Sequence, residues 1–528
     1  METKIRGVEQ ELAMNTVPSL PPASLKHLVG MAVEELKNAG LVTSIKVEDM
    51  RSDFMALNGF RVYDDMLHLE LSSPSYNSPL EAVVYDKVAE LFAYYAVRGL
   101  KGYFKEINVY KNNVSNQYLG GDGGKTWSAV SYSTHSSILM DRSFCNLGVW
   151  NEVEAALIPF MVARVPLIGG GDLVPAPGGD GFPKPGKVMH GKTLRFAISP
   201  RALFAKKISS NDTVSARGLL NQRDDPHADP EKYWRLHDIN WEGLRSPFQI
   251  YLRDSLETLV MLAYEGGFLE DPPELADPLA SIKEISMDSE SCDWKVVLKN
   301  GRKVDALEEI MEGFYLAGIE KMLDEGGSSE TDMTGFNVVK ATLQGLSEGR
   351  LEYFIDGLDW VTKKMLIDEY AQGDMEEALG ICNQYTLIDD TVLAYLGEPV
   401  DIEQVQTTFD LERSFEFAED AIPGVDWNGF GRLASKALKK GPEGTREYFR
   451  CLVAREFPFM VKQIEWERIT FPYAQILLNE PFGFNRKMCG DSLEEATANL
   501  DSFMNAVSKL RSEGGHIVPT PVEEQMHE

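Results

Sequence analysis

Asn58-Gly59-Phe60-Arg61-Val62-Tyr63-Asp64-Asp65, followed at once by His68-Leu69-Glu70, is the stretch on which the reading of this chain turns. Read as a strand, residues 60–65 alternate faces, so Arg61, Tyr63 and Asp65 share one side while Phe60 and Val62 turn to the other. A guanidinium, a phenol and a carboxylate on one sheet face suit a polyphosphate and its metal: the cation meets phosphate oxygens, and the oxygens ligate a hard divalent ion. Glu70 adds a second carboxylate. An ordinary amphipathic strand with a solvated polar face would carry the same pattern.

The start of the chain, Ile5-Arg6-Gly7-Val8-Glu9-Gln10-Glu11-Leu12, reads as a second strand. It sets Glu9 and Glu11 on one face roughly 7 Å apart, a spacing that paired carboxylates around Mg²⁺ can use. Next comes a helix to about Asn38, with Ser24 as its cap, Leu25, Leu28, Val29, Ala32, Val33 and Leu36 as its apolar stripe, and Gly40 as its stop. Residues 80–100 return to helical spacing after the Arg61 strand, and the alternation predicts a layered α/β or α+β domain.

With 528 residues the chain can build a large domain plus a smaller one. A net charge of -30 opposes binding to nucleic acid or to an anionic membrane, since either would meet a repulsive field. Five scattered cysteines, Cys145, Cys292, Cys382, Cys451 and Cys489, have no C-x-x-C spacing and point to a reducing compartment without a thiolate metal site. No apolar leader follows Met1, and the most apolar run, residues 155–163, is broken by Pro159; the expectation is a soluble cytoplasmic protein.

Two Gly/Pro-rich insertions, 114–130 and 167–192, read as surface loops that could form a lid. Gly120-Gly121-Asp122-Gly123-Gly124 lacks the spacing of a phosphate-binding P-loop. Helical spacing dominates 248–263 and 306–396, and the stripe from Phe354 to Tyr370, with Trp360, reads as core packing. A smaller C-terminal domain is expected from about Asp401: helices at 411–418 and 445–456, a strand-like segment at 464–478, a capping box Ser492-x-x-Glu495 opening a final helix, then a frayed tail.

Taken in order, these motifs resemble the Pup ligase and depupylase (PafA/Dop) family, relatives of glutamine synthetase and other carboxylate-amine ligases. The resemblance is carried by G-V-E-Q-E at 7–11, N-G-x-R-x-Y-x-D at 58–65 and H-x-E at 68–70. It continues through Lys111-Asn112-Asn113, Ser131-Tyr132 with His135, and Asn221-Gln222-Arg223-Asp224-Asp225-Pro226-His227-Ala228-Asp229 with Arg235-Leu236-His237. Leu358 to Lys364, Glu465-Trp466 and Leu478-Asn479-Glu480-Pro481-Phe482 complete it.

It implies an α+β fold: a large glutamine synthetase-like catalytic domain (1–400) with a curved, mostly antiparallel sheet backed by helices, a small C-terminal α/β domain (401–512) contributing to the nucleotide site, and a flexible tail (513–528). It implies ATP and Mg²⁺ as cofactors, Glu9, Tyr63 and Glu70 as metal ligands, Arg61, Ser73 and Trp466 as ATP contacts, and Asp65 as the catalytic base. Glu11 joins the metal set from strand parity. Arg223 and His237 are assigned to phosphate and acceptor contacts, oriented by Asp225 and Asp229.

Departures from the family pattern fall on parts of the site facing the acceptor or a co-ligating metal. His135-Ser136-Ser137 stands where H-E-N is usual, Ser73-Pro74-Ser75 where T-P-E is usual, and Asn240-Trp241-Glu242-Gly243 replaces G-D-S-N. The expectation drawn is an ATP- and Mg²⁺-dependent phosphotransferase that moves the γ-phosphoryl group to a small acceptor, such as the nucleoside monophosphate AMP or a carboxylate. Its alternative is a ligase joining the C-terminal glutamate of a Pup-like modifier to a protein lysine through an acyl phosphate. Depupylation or deamidation, for want of a long acidic loop before Asn58, and an inactive nucleotide-binding scaffold rank behind both.

Overall fold

Burial at every second position, with Val8, Gln10 and Leu12 turned inward and Glu9 and Glu11 outward, marks Arg6–Val17 as a strand, β1. The computed structural model describes residues 3–48, 52–119, 126–176, 188–326, 329–510 and 515–519. Around β1 it assembles β2 (Val42–Lys46), β3 (Asp53–Ala56), β4 (Arg61–Asp65), β5 (His68–Ser72), β6 (Thr134–Asp141) and β7 (Tyr233–Asp238). The same sheet continues into β8 (Gln463–Ile464), β9 (Arg468–Thr470), β10 (Ala474–Leu478) and β11 (Gly515–Pro519), in the order β7-β6-β1-β5-β4-β3-β2-β8-β9-β10-β11. Every neighbour along that path is antiparallel except β2 and β8, which meet in parallel at Lys46 and Gln463. The class is α+β, as the motif series implied.

One face of this sheet is apolar because the second residue of each pair is. Val8, Leu12, Phe60, Val62, Leu69, Leu71, Ile138 and Leu236 are buried in a core shared with α1 (Pro22–Asn38), α2 (Pro79–Leu100) and α3 (Pro247–Glu265). A second core gathers Phe449, Leu452 and Val453 of α4 (Glu447–Glu456) with Ile464, Ile469, Ile476, Phe503 and Val507. Ile45, Val47 and Met55 from the β2–β3 end of the large unit belong to it too, so the two cores lie along one sheet. Residues 401–438, placed in the small domain from sequence, instead pack Ala418, Ile422, Trp427 and Phe430 into the main core.

Several local expectations change. The first helix opens at Pro22, with Pro21 in the capping position and Ser24 N–H donating to Pro21 O; a proline pair presets the helical φ and displaces the serine cap. The last helix, Leu500–Lys509, is capped by Asn499, whose side chain accepts from Ser502 N–H, while Ser492 lies within an earlier helical span, Arg486–Glu495. Residues 515–519 are not frayed but pair with β10 as an edge strand. Tyr370, assigned to a core stripe, is exposed; Trp360 of the same stripe is fully buried and donates to Pro166 O.

Gly169-Gly170-Gly171, read as loop, is buried architecture. Gly171 has φ +65°, a Cβ there would stand 2.7 Å from Trp360 Cα, and Lys363 Nζ donates to both Gly170 O and Gly171 O at 2.8 Å. The rest of the two insertions contributes the hairpin Val114–Leu119 with Thr126–Ser131 and a third strand, Val188–Gly191; residues 120–125 and 177–187, the expected lid, lie outside the described residues.

Candidate active site

Directly opposed residues of an antiparallel pair point to the same face, so the register alone assembles the polar face of the sheet. Arg61 opposes Ser72, Ser72 opposes Glu9, and Glu9 opposes His135, forming one row across β4, β5, β1 and β6. Tyr63, Glu70 and Glu11 form the next row, and Asp65 with His68 closes the β4–β5 hairpin beyond it. On the other side His237 opposes Ser137, which brings β7 into the same face.

Two groups of metal-ligating atoms result. Glu11, Asp65 and Glu70 each place one carboxylate oxygen within 4.8 Å of the others, and Glu9, His135 and His237 do the same with an oxygen and two ring nitrogens. His135 Nδ1 lies 3.2 Å and His237 Nε2 3.4 Å from Glu9 Oε2, and Arg235 NH1 lies 3.4 Å from Glu9 Oε1. All-oxygen donors suit a hard ion such as Mg²⁺, so the acidic group fits it better than the mixed group does. Tyr63 enters differently from expectation: its hydroxyl donates to Glu70 Oε1 and holds that carboxylate in place.

The electrostatics follow from crowding acids and imidazoles on a half-buried face. Burial would raise the Glu9 carboxyl, but His237, His135 and Arg235 outweigh it and hold it well below the usual carboxylate range. Glu11 is lowered as well, burial being overcome by His135, Arg201 and His68 and by the Ser133 N–H. Glu70 moves the other way, pushed well above normal by burial and then by Glu9 and Glu11. Burial and Glu11 also raise Asp65, with His135 and His68 opposing them.

Beside this face runs a cleft lined by Ile5, Gly7, Glu9, Ser73, Ser75, Ser137, Leu139, Pro226, His227, Arg235, Arg446, Trp466 and Pro481. Ser73 lines it and accepts from Val8 N–H at 2.9 Å. Trp466 lines it from the β8–β9 turn with the Arg450 guanidinium 4.5 Å over its ring. Arg446 donates to Leu478 O and His227 O, both at 2.7 Å, and so ties the two loops of the cleft together. Burial and Arg235 hold His227 down at about 3, so it faces the cleft as a neutral imidazole.

Not every assigned residue arrives here. Arg223 is 56% exposed and turned to Asp225, outside the cleft lining; the cation that does line it from the same block is Arg235, because Tyr233, Arg235 and His237 share one face of β7. His237 sits with Glu9 rather than in the cleft, and Asp229 caps a turn, its carboxylate accepting from Glu231 N–H. Arg61 stays on the sheet, clasped by Asp53 through Nε (3.0 Å) and NH2 (2.9 Å) and stacked 4.1 Å above the Tyr63 ring. Strand parity carried onto 233–238 would have found Arg235. Arg201 and Arg446, brought in from distant segments, left no local signal.

An α+β chain with two ligand clusters on one sheet face and a cationic, aromatic cleft beside them is of the enzyme class. The chain belongs to the Pup-ligase family: the sequence profile of that family, described as Pup-ligase protein, matches residues 23–389. It is 30% identical over 468 residues to the Pup deamidase/depupylase of Mycolicibacterium smegmatis, spanning 87% of this chain and 83% of that one. To the depupylase of Acidothermus cellulolyticus it is 27% identical over 450 residues, 83% of this chain and 80% of the relative. To the Pup–protein ligase of Pseudarthrobacter chlorophenolicus it is 26% identical over 384 residues, 70% and 75% of the two chains.

The fold matches the crystal structure of the Pup ligase PafA in complex with Pup, with TM-score 0.71 and 21% identity over 97% of this chain and 93% of that one. It also matches PafA in complex with ADP, with TM-score 0.65 and 21% identity over 93% and 94%. Among the described residues no helix is long and apolar enough to cross a membrane.

Proposed function

We propose that this enzyme uses ATP to activate a carboxylate, and that the carboxylate is the terminal glutamate of a Pup-like modifier to be joined to a lysine. The observation that carries this reading is the position of Asp65, beside Glu11 and Glu70 and on the same sheet face as Glu9, which itself lines the cleft with Ser73, Arg235 and Trp466. PafA, which has this fold, is known in complexes with Pup and with ADP, and relatives of similar identity are named both ligase and depupylase. The five free cysteines are consistent with work in the reducing cytoplasm.

In the proposed reaction a carboxylate oxygen attacks the γ-phosphorus of ATP, and the bond to the β,γ-bridging oxygen breaks to release ADP. A lysine amine then attacks the acyl carbon, inorganic phosphate leaves, and Asp65 takes the amine proton. Glu11 and Glu70, with Glu9 beyond them, would hold Mg²⁺, which when bound neutralises charge on the transferring phosphoryl group. Arg235 and Ser73 orient the phosphates, and Trp466 packs against the base. Depupylation would set the same face against the isopeptide bond.

A second reading, phosphoryl transfer to a small acceptor such as AMP, draws on the serines that replace acids. Ser75 Oγ donates to Glu447 (3.0 Å) and Ser136 Oγ to Glu257 (3.2 Å). Of the two, Ser75 lines the cleft together with Arg235, so a hydroxyl in place of a carboxylate there removes negative charge from the cleft and favours an anionic acceptor.

Phosphorus NMR of the enzyme with ATP, Mg²⁺ and separate acceptors separates these readings. A glutamate-ended Pup-like peptide with lysine is expected to give an isopeptide adduct, ADP and free phosphate. Offered peptidyl-lysine adduct alone, a depupylase would release lysine. A phosphorylated small molecule without adduct would replace the ligase reading with the second one, and no turnover of ATP with any acceptor would sink both. The nucleotide site is tested by Trp466→Ala, expected to weaken ATP binding by ~1–3 kcal/mol if the indole stacks on the base. Unchanged affinity in a calorimetric titration would return Trp466 to a packing role.

A further inference from the structure

A second pocket lies behind β1, on the side that the helices cover. Its volume of about 210 Å³ exceeds the ~150 Å³ of a cavity that admits a benzene ring, and among the described residues Arg6 is the only one it shares with the active-site cleft. Arg6 follows the parity of Val8 and Gln10, so its side chain turns away from Glu9 and meets Asp254 of α3, NH2 to Oδ2 at 3.0 Å. Ser255 and Thr258 of α3, and Thr331 and Asp332 of the helix Glu330–Ser347, make the facing walls polar. That helix can come so close because residue 335 is glycine: a Cβ there would stand 3.0 Å from Ser255 Oγ.

Two of the lining side chains are buried with a polar atom left unbonded. Arg6 and Ser255 are each 2% exposed, and Arg6 Nε and Ser255 Oγ have no hydrogen-bond partner among the described residues. Thr258, by contrast, donates its hydroxyl to Asp254 O at 2.7 Å. Buried polar groups without partners are costly, and beside a pocket of this size they mark where a bound molecule completes the bonding. Asp332 brings an acceptor to the same pocket. Its Oδ2 takes hydrogen bonds from Ser329 N–H (3.2 Å) and Ser329 Oγ (2.7 Å), which leaves Oδ1 for an occupant.

The charges select that occupant. Arg6 is already matched by Asp254, and Asp332 adds a further negative charge, so a plain oxyanion finds no positive surplus here; a plain cation meets the Arg6 guanidinium. A molecule carrying both charges suits both walls. We propose that this pocket binds a small α-amino acid, its carboxylate on Arg6 Nε and Ser255 Oγ and its ammonium on Asp332, at a site separate from the catalytic face. Because Arg6 stands on β1 in the same strand as Glu9 and Glu11, the site is built into the element that carries those acids.

The test measures binding in EDTA and without ATP, so that it stands apart from turnover. Glycine, L-serine and L-glutamate are titrated separately into the wild-type chain by calorimetry, with acetate and methylamine, each carrying one of the two charges of glycine, as controls. At least one amino acid is expected to bind about tenfold or more tighter than either control. Ser255→Ala, which removes a hydroxyl without a partner, is expected to weaken that binding about fivefold, and Asp332→Asn, which keeps an oxygen for the Ser329 cap, about tenfold or more. The serine variant serves if the other fails to fold. Asp65→Asn, on the catalytic face, is expected to bind as the wild-type chain does. No amino acid bound by the wild-type chain, binding no tighter than the controls, equal binding by wild-type and the folded pocket variants, or a loss confined to Asp65→Asn would overturn the proposal.

Discussion

Asp65→Asn is expected to leave ATP bound and to slow transfer by about 100- to 10,000-fold, the usual worth of a general base. The substitution keeps shape and one acceptor oxygen but cannot take a proton from the attacking amine. Its surroundings favour that role: burial and the neighbouring Glu11 raise the carboxyl, which brings a carboxylate closer to neutral working pH. Yet Asp65 also lies within ligating distance of Glu11 and Glu70, so the same residue could serve a metal. Single-turnover transfer and a Mg²⁺ titration of ATP binding, made on the same variant, separate the two. Slow transfer with an unchanged Mg²⁺ midpoint assigns Asp65 to proton transfer. A midpoint shifted together with the rate makes it a ligand, and an unchanged rate removes it from the mechanism.

How much of this site was legible in the sequence depends on the distance over which each signal acts. Period-two alternation is local, so β1 and β4 and the faces of Glu9, Glu11, Arg61, Tyr63 and Asp65 could be read directly. Register is not local. That Glu9 would oppose Ser72 on one side and His135 on the other depends on pairings between segments up to 126 residues apart, and the Glu9–His135–His237 group needs in addition the β6–β7 pairing that sets His237 opposite Ser137.

Arg223, which the sequence reading chose, and Arg235, which it did not, illustrate the same limit within one motif. Both are arginines in a run of acids, but Arg235 belongs to a strand whose parity aims it at the cleft, while Arg223 precedes that strand and turns to Asp225 and solvent. Helix starts failed for a different reason. A serine is a good cap only where the backbone before it is free, and Pro21-Pro22 had already fixed where the first helix begins. Residues 515–519 read as tail because an edge strand needs few apolar residues of its own when β10 supplies the partner.

Glu9→Gln is expected to have the broadest effect of any single change at the site. Glu9 joins the sheet face to the cleft: it opposes Ser72 and His135 across the sheet, faces His237, and approaches Arg235 in the cleft lining. His135, His237 and Arg235 together hold its charge against burial, so glutamine in its place leaves three cationic or donor groups facing a neutral amide. The cost comes mostly from the groups left unmatched, and because the Glu9 side chain is 23% exposed it stays below the ~3–5 kcal/mol of a fully buried pair. Two consequences can be measured separately. If Glu9 is a ligand, metal affinity should fall by about 100-fold or more, because even outer-shell changes cost about 10- to 100-fold. If it serves only to orient His135 and His237, transfer should fall while the Mg²⁺ midpoint for ATP binding stays put. Wild-type behaviour in both assays would mean that the histidines and Arg235 find other counter-charges: Glu11 Oε2 lies 3.8 Å from His135 Nε2, and Asp225 Oδ2 lies 3.7 Å from Arg235 NH2.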